Sequence, residues 1–308
     1  MTTAKGRGSG PPEYPLEPSW FTKALLAPFD EGTVVVRGTD IHYLAWGDRG
    51  QPGLVFVHGG AAHAHWWSYL APFFAERWHA VAIDLSGHGD SGRRDEYSHD
   101  LWAHEVLSIQ DDVGFPGPPV IVGHSLGGVV TIETAASHGE LVAGTVVVDS
   151  PVRGPDPESE AGASGRSPFR APGVYPDKET AVSHFRLIPE QPTENEFIIE
   201  HIANYSVVET DAGWTWKFDP RVFEQTLVSL HEELASVTGR IALLRGEHSV
   251  VVPEDTAEYM YELMNRNAPV ASIPDAHHHL IVDQPLAFVS ALRTLLADWE
   301  HSIPRTKL

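Results

Sequence analysis

Short apolar runs that end in glycine, aspartate or a histidine-glycine pair constrain this chain more than any other feature. Residues 54–57 run into His58-Gly59-Gly60, 80–83 into Asp84, 120–122 into Gly123, Gly144–Val148 into Asp149, and 241–244 towards Gly246; 270–273 is the last. None alternates with polar residues, so each reads as a strand buried on both faces. Helical patterns lie between them, most clearly at 101–110, 126–137, 256–265 and 286–299. Strand–helix alternation of this kind predicts an α/β fold with a mostly parallel sheet and helices on both sides. In such sheets chemistry gathers at the carboxyl ends of the strands, where the punctuating residues stand. Ahead of these runs, 33–36 and 41–46 form a hairpin pattern around Gly38-Thr39-Asp40.

One stretch breaks the rhythm. From Pro151 to about Thr238 no strand pattern is visible. A Pro/Gly/Ser-rich piece, 154–172, is followed by helical candidates at 178–185, 194–207 and 221–236. We therefore expect a core domain from 21–150 and 239–308, interrupted by a helical cap, or lid, at 151–238. Residues 1–20, rich in Gly, Pro and Ser, are expected to form a flexible arm. A length of 308 residues suits one α/β domain with an insertion.

Charge narrows the partners. The 21 Lys and Arg against 42 Asp and Glu leave a formal net charge of −21. A field of that sign repels phosphate backbones and anionic lipid, so we expect no nucleic acid and no membrane, but a small-molecule substrate. The absence of cysteine removes disulfides, a thiol nucleophile and thiolate metal sites. With no apolar leader in the first twenty residues, the expectation is a cytoplasmic protein, monomer or homodimer.

Gly123-His124-Ser125-Leu126-Gly127-Gly128 follows a buried strand and opens a helix. Small residues at 123 and 127 permit a tight strand-to-helix turn that lifts the Ser125 hydroxyl out of the sheet. The Leu126 amide, at the helix start, is then placed to stabilise an oxyanion. A serine nucleophile needs a base. Asp275-Ala276-His277-His278-His279, just after the last strand, supplies candidates. Three adjacent histidines invite a metal reading, which we set aside because adjacent side chains diverge and no other ligand spacing accompanies them.

Together these motifs resemble those of the α/β-hydrolase superfamily, from about residue 30 to 300. The resemblance implies an eight-stranded, mostly parallel sheet flanked by helices, with a cap. It makes His58-Gly59-Gly60 the oxyanion loop, with the Gly60 amide as second donor beside Leu126. It makes Ser125 the nucleophile and His278 the general base, with His277 where glycine is usual. The segment Asp84-Leu85-Ser86-Gly87-His88-Gly89-Asp90-Ser91 resembles a loop that is structural in the family. The family's usual acid position falls on Ser249, which cannot balance an imidazolium. Asp149, at the end of the sixth strand as in haloalkane dehalogenases, is the preferred acid; Glu247 is the alternative. His63, Trp66, Trp214 and Trp216 are the candidate substrate contacts. The implied reaction is hydrolysis of a carboxylic ester or lactone of an apolar or aromatic molecule, with no cofactor and no metal. Alternatives are carbon–carbon hydrolysis of diketones, acyl transfer or cofactor-free peroxidase chemistry, and a hydrolase-like ligand receptor. Epoxide hydrolases and dehalogenases of this fold carry aspartate where Ser125 stands.

Overall fold

The computed structural model describes residues 17–154, 172–224 and 229–301. Its main sheet contains β1 (Asp30–Val36), β2 (Thr39–Trp46), β3 (Gly53–Val57), β4 (His79–Ile83), β5 (Val120–His124), β6 (Gly144–Val148), β9 (Ile241–Gly246) and β10 (Val270–Ile273). The spatial order is β1-β2-β4-β3-β5-β6-β9-β10. Only β2 runs against the rest, pairing antiparallel with both β1 and β4. The β1–β2 hairpin turns on Arg37 and Gly38, with φ of 47° and 80°, rather than on residues 38–40. Two residues at positive φ match the twist of paired strands, so Thr39 and Asp40 join the ladder.

Strand residues alternate between two cores. Leu54 and Phe56 of β3, with Val120 and Val122 of β5, face one apolar cluster; Val55, Val57 and Ile121 face another. The first is covered by helix α9 (Pro285–His301) through Phe288, Val289, Leu292 and Leu296, and by α1 (Ser19–Leu25) through Phe21. The second is covered by α2 (His99–Val113) through Trp102, Val106, Ile109 and Val113. That spacing is one stripe of a helix. Helix α3 (Leu126–Ser137) is buried nearly all round. Burial on both faces explains why β3, β4, β5, β6 and β9 carry no polar alternation, and each buried Val, Leu or Phe contributes about 1.5–3 kcal/mol; β10, at the sheet edge, departs from that expectation, with only Ile273 buried.

From β3 the chain goes to β4 on one side and then to β5 on the other. The crevice of an open α/β sheet forms at such a reversal. His58-Gly59-Gly60 and Ser125 leave β3 and β5 at that point.

The segment between β6 and β9 is not purely helical. It holds α4 (Lys178–Ser183), α5 (Glu196–Tyr205), the hairpin of β7 (Val207–Thr210) and β8 (Gly213–Trp216), a 3-10 turn at Pro220–Phe223, and α6 (His231–Ser236). The hairpin corrects the all-helical expectation. Val207-Val208 and Trp214-Thr215-Trp216 favour strand, and Tyr175 pairs through both backbone groups with Trp214 at 2.8 Å. The expected helix at 221–236 is instead the short turn and α6, with 225–228 outside the described residues. The Pro/Gly/Ser-rich piece lies outside them at 155–171, as does the expected arm at 1–16; α1 begins at Ser19. The remaining helices are α7 (Glu254–Leu263) and α8 (Leu280–Asp283).

The insertion is tied to the core on two sides. Gly89 N donates to Lys217 O at 2.8 Å, Asp219 N to Gly87 O at 2.7 Å, and Lys217 pairs with Asp90. On the other side Asn195 Nδ2 donates to Val282 O at 2.8 Å, and His279 N donates to Gln191 Oε1 at 2.8 Å. Among the described residues no helix is long and apolar enough to cross a membrane.

Candidate active site

Ser125 sits between β5 and α3 with φ 54° and ψ −118°, a strained geometry for a residue with a side chain. Its neighbours explain how that turn is possible. A Cβ on Gly123 would lie 2.1 Å from Gly127 O, and one on Gly127 would lie 2.3 Å from Val57 O. A side chain at 123 would collide with the first turns of α3, and one at 127 with the end of β3. Ser125 N donates to Val148 O at 3.0 Å, and Ser150 Oγ donates to Ser125 O at 2.7 Å, so the backbone is held on both sides.

His278 Nε2 lies 3.1 Å from Ser125 Oγ, and its Nδ1 lies 2.7 Å from Asp149 Oδ2. The imidazole thus bridges hydroxyl and carboxylate in the order that general-base activation of serine requires. Asp149 is fully buried and has φ 48°, a conformation that aspartate tolerates better than most residues. Its Oδ1 accepts from Gly246 N at 2.9 Å, and its Oδ2 also accepts from Ser249 Oγ at 2.6 Å. Ser249 in turn accepts from Val251 N and Val252 N at 3.1 and 3.0 Å, which leaves its own proton for Asp149. Ser249, which the resemblance places at the usual acid position, therefore donates to Asp149. Glu247 stands elsewhere: its carboxylate accepts from Asp275 N at 2.9 Å, with the side chain 54% exposed. The structure does not bring it to His278, whose Nδ1 faces Asp149.

The loop His58-Gly59-Gly60 is held by the His58 side chain. Leu85 N donates to its Nε2 at 3.1 Å, so the proton sits on Nδ1, which donates to Gly59 O at 2.7 Å. Burial lowers the pKa of His58 and keeps the ring neutral for both contacts. In a trans peptide the next N–H points opposite the carbonyl, so Gly60 N–H is turned away from His58. Gly60 lines the cavity beside the elbow. The Leu126 amide, in the first turn of α3, has no carbonyl four residues back within the helix.

His278 and His279 do not diverge as adjacent residues on an extended run would. Their ring centroids are 4.7 Å apart, and the third member of the cluster is His124 of the elbow, 4.8 Å and 5.5 Å from them. Candidate ligand atoms of the three lie within 4.8 Å of one another. Both nitrogens of His278 are engaged, however, which leaves two imidazoles, too few for an all-protein metal site. His124 Nε2 donates to His278 O at 3.0 Å and anchors the base to the elbow; burial, with His278 beside it, pushes its pKa down to about 3. His277 turns to Asp283 at 3.4 Å.

A cavity of about 500 Å³ is lined by Gly60, Trp66 and His279 from the core and by Tyr175, Phe185 and Trp216 from the insertion; Gly60 and His279 stand next to the loop and the histidine run described above. Trp66 and Trp216 thus meet the expectation of a pocket wall. His63 does not: it is buried, its Nε2 donates to Ser206 Oγ at 2.9 Å, and it joins the oxyanion loop to the insertion. Trp214 is not on the wall either: it shares a strand face with Trp216 but stands two residues nearer the hairpin turn, where Lys178 Nζ sits 6.0 Å from its ring. Trp67 is fully buried and stacks on Phe56. Sequence reasoning did not single out His124, Ser150, Ser249 or His279 for these roles; their neighbours are distant in the chain.

Comparisons with known proteins agree with this fold. The model of a family described as the alpha/beta hydrolase family matches residues 54–292. An esterase of Mycobacterium tuberculosis is 27% identical over 268 residues, covering 85% of this chain and 88% of its own. An sn-1-specific diacylglycerol lipase of Mus musculus is 23% identical over 261 residues, covering 82% and 83%. Among solved structures, an E-2-(acetamidomethylene)succinate hydrolase superposes with a TM-score of 0.75 at 20% identity, covering 88% of this chain and 100% of its own.

Proposed function

Because this chain belongs to the alpha/beta hydrolase family, we propose that it is a serine hydrolase that cleaves carboxylic esters or lactones through an acyl-enzyme. The observation that carries the proposal is the imidazole of His278 set between Ser125 Oγ at 3.1 Å and Asp149 Oδ2 at 2.7 Å. In this reading His278 Nε2 takes the hydroxyl proton as Ser125 Oγ bonds to the scissile carbonyl carbon. The amides of Gly60 and Leu126 receive the charge that develops on the carbonyl oxygen, each worth about 3 kcal/mol of transition-state stabilisation. The imidazolium returns the proton to the leaving alcohol as the C–O bond breaks. A water then gives its proton to His278, attacks the acyl carbon and frees the acid. Asp149 holds the tautomer that leaves Nε2 facing Ser125 and balances the transient imidazolium.

The two relatives with long matches bear the names of ester-cleaving enzymes, which favours ester hydrolysis over carbon–carbon cleavage here. The insertion acts as a cap in this reading, since it supplies most of the cavity wall. Aromatic side chains there suit an apolar or aromatic small molecule.

The test is turnover of p-nitrophenyl esters from acetate to octanoate by the wild type and by Ser125→Ala. Turnover in the wild type and loss of at least about 1,000-fold in the variant are expected. Equal turnover in both, or none in the wild type, would remove ester hydrolysis at Ser125.

A further inference from the structure

The chain carries 42 acidic and 21 basic residues, yet the described wall of the cavity holds no aspartate or glutamate and one arginine, Arg186. Arg186 is exposed, so a molecule in the cavity mouth can reach it. Other cations of the chain meet a carboxylate: Arg77 meets Glu300, Arg94 meets Glu105, Lys217 meets Asp90 and Arg221 meets Asp219. Arg186 makes no ion pair, and both of its side-chain hydrogen bonds go to main-chain carbonyls of its own segment.

Those two bonds hold the guanidinium without using it up. Nη1 donates to Ser183 O at 2.9 Å and to Phe185 O at 2.5 Å, which takes both of its protons. The N–H of Nε and the two of Nη2 remain, and the edge they form is one that meets both oxygens of a carboxylate. His184, on the same wall, is no rival for an anion. Its Nδ1 donates to Thr180 O at 2.8 Å, which leaves the neutral ring an acceptor alone. An arginine keeps its charge at every working pH, so an apolar chain laid against it gives nothing back to the guanidinium, whereas a carboxylate gives charge-assisted hydrogen bonds. Trp66, Phe185, Leu187 and Trp216 offer an apolar surface for the carbon skeleton between the two ends. Gly60, assigned above to the oxyanion, lines the same cavity, so one molecule can meet both it and Arg186.

We propose that Arg186 is an anion-binding residue of the cavity, and that the preferred substrates are esters with an apolar body and a second, ionised carboxylate. The proposal rests on the serine hydrolase reading and specifies its substrate class. The net charge of −21 repels anions at long range, so the local contact has to be measured against a neutral molecule of the same shape.

The experiment measures kcat/KM by pH-stat for pairs of esters that differ only in carboxylate against primary carboxamide. On the acyl side the pairs are the monoethyl esters of glutarate, adipate and suberate, each with its amide. On the alcohol side the pair is 4-(butanoyloxy)butanoate with its amide. At least one carboxylate ester should exceed its amide by about tenfold or more. In Arg186→Gln that ratio should fall to one or below, while Arg186→Lys should keep only part of it, because an ammonium lacks the planar fork. A ratio taken within one variant cancels any loss common to both esters. Ratios of one or less for every pair in the wild type would overturn the proposal with the hydrolase reading intact. So would a preference that survives Arg186→Gln, or failure to cleave any of these esters by an enzyme that turns over p-nitrophenyl esters. Absence of any Ser125-dependent turnover, p-nitrophenyl esters included, would instead remove the hydrolase reading, and the substrate class with it.

Discussion

At the scale of single residues, the arrangement turns on where a buried negative charge can stand. An imidazolium forming at His278 needs a carboxylate on its Nδ1, and a serine at 249 cannot supply one. Asp149 does so from the end of β6, and Ser249 donates to the same Oδ2 that faces His278. Replacement of Asp149 by Asn should therefore lower kcat by about 10,000-fold, since it presents the wrong partner to the ring. Glu247→Gln should stay within about twofold of the wild type. The reverse ranking in steady-state assays would place the acid at Glu247. Because Ser249 Oγ is 2.6 Å from the Asp149 carboxylate, exchanging the two residues should recover activity. Asp149→Ser combined with Ser249→Asp is expected to exceed Asp149→Ser alone by about tenfold or more. No recovery would show that position 249 cannot present a carboxylate to His278.

At the scale of elements, the strand–turn–helix around Ser125 and the β7–β8 hairpin play different parts. The elbow is rigid because β3, β5 and α3 approach so closely that only glycine fits at 123 and 127. The hairpin belongs to the insertion and shapes the cavity. Trp216, on β8, forms part of its wall near Tyr175 and Phe185, with ring centroids 6.0 and 6.2 Å away. Trp216→Ala should open room for a longer chain, and each additional buried methylene contributes about 0.8 kcal/mol. The ratio of kcat/KM for p-nitrophenyl octanoate over butyrate should then rise by about tenfold. A ratio unchanged or lowered would mean that the acyl chain takes another path.

At the scale of the whole molecule, buried imidazoles dominate the response to acid. Nine histidines among the described residues, His58, His63, His65, His79, His88, His99, His124, His201 and His279, have pKa values lowered first of all by burial. Each binds a proton more readily when the chain is unfolded. Below pH 6.5 unfolding therefore takes up protons, and stability falls as the pH drops. His42 works the other way. Burial alone would lower its pKa, but Asp84 and Glu31 outweigh it, and its contribution is fully present below pH 6.5 and lost at higher pH. Nine against one sets the sign. Urea unfolding at pH 7.5 and 5.5 should give a lower midpoint at pH 5.5; an equal or higher midpoint would mean that these rings are hydrated in the folded state.

Much of the fold could be read along the chain, because a strand buried on both faces leaves a local mark: a few apolar residues in a row, stopped by a residue that can turn. The strands themselves, and the position of Ser125 and Asp149 at the ends of β5 and β6, follow from that mark; the eight-stranded sheet came from the family resemblance, and the spatial order from the structure. The hairpin in the insertion was hidden, because two four-residue strands with polar members resemble a loop until Tyr175 pairs with Trp214. The linear sequence also could not separate Trp216 from Trp214, or His279 from His277. In each pair the difference is which of two residues, two positions apart, reaches the cavity. That is set by contacts between residues far apart in sequence, such as Gln191 with His279 and His63 with Ser206. The acid was decided the same way: Asp149 and Glu247 both stand at strand ends, and only the packing of β6 against β9 and the loop after β10 brings one of them to His278.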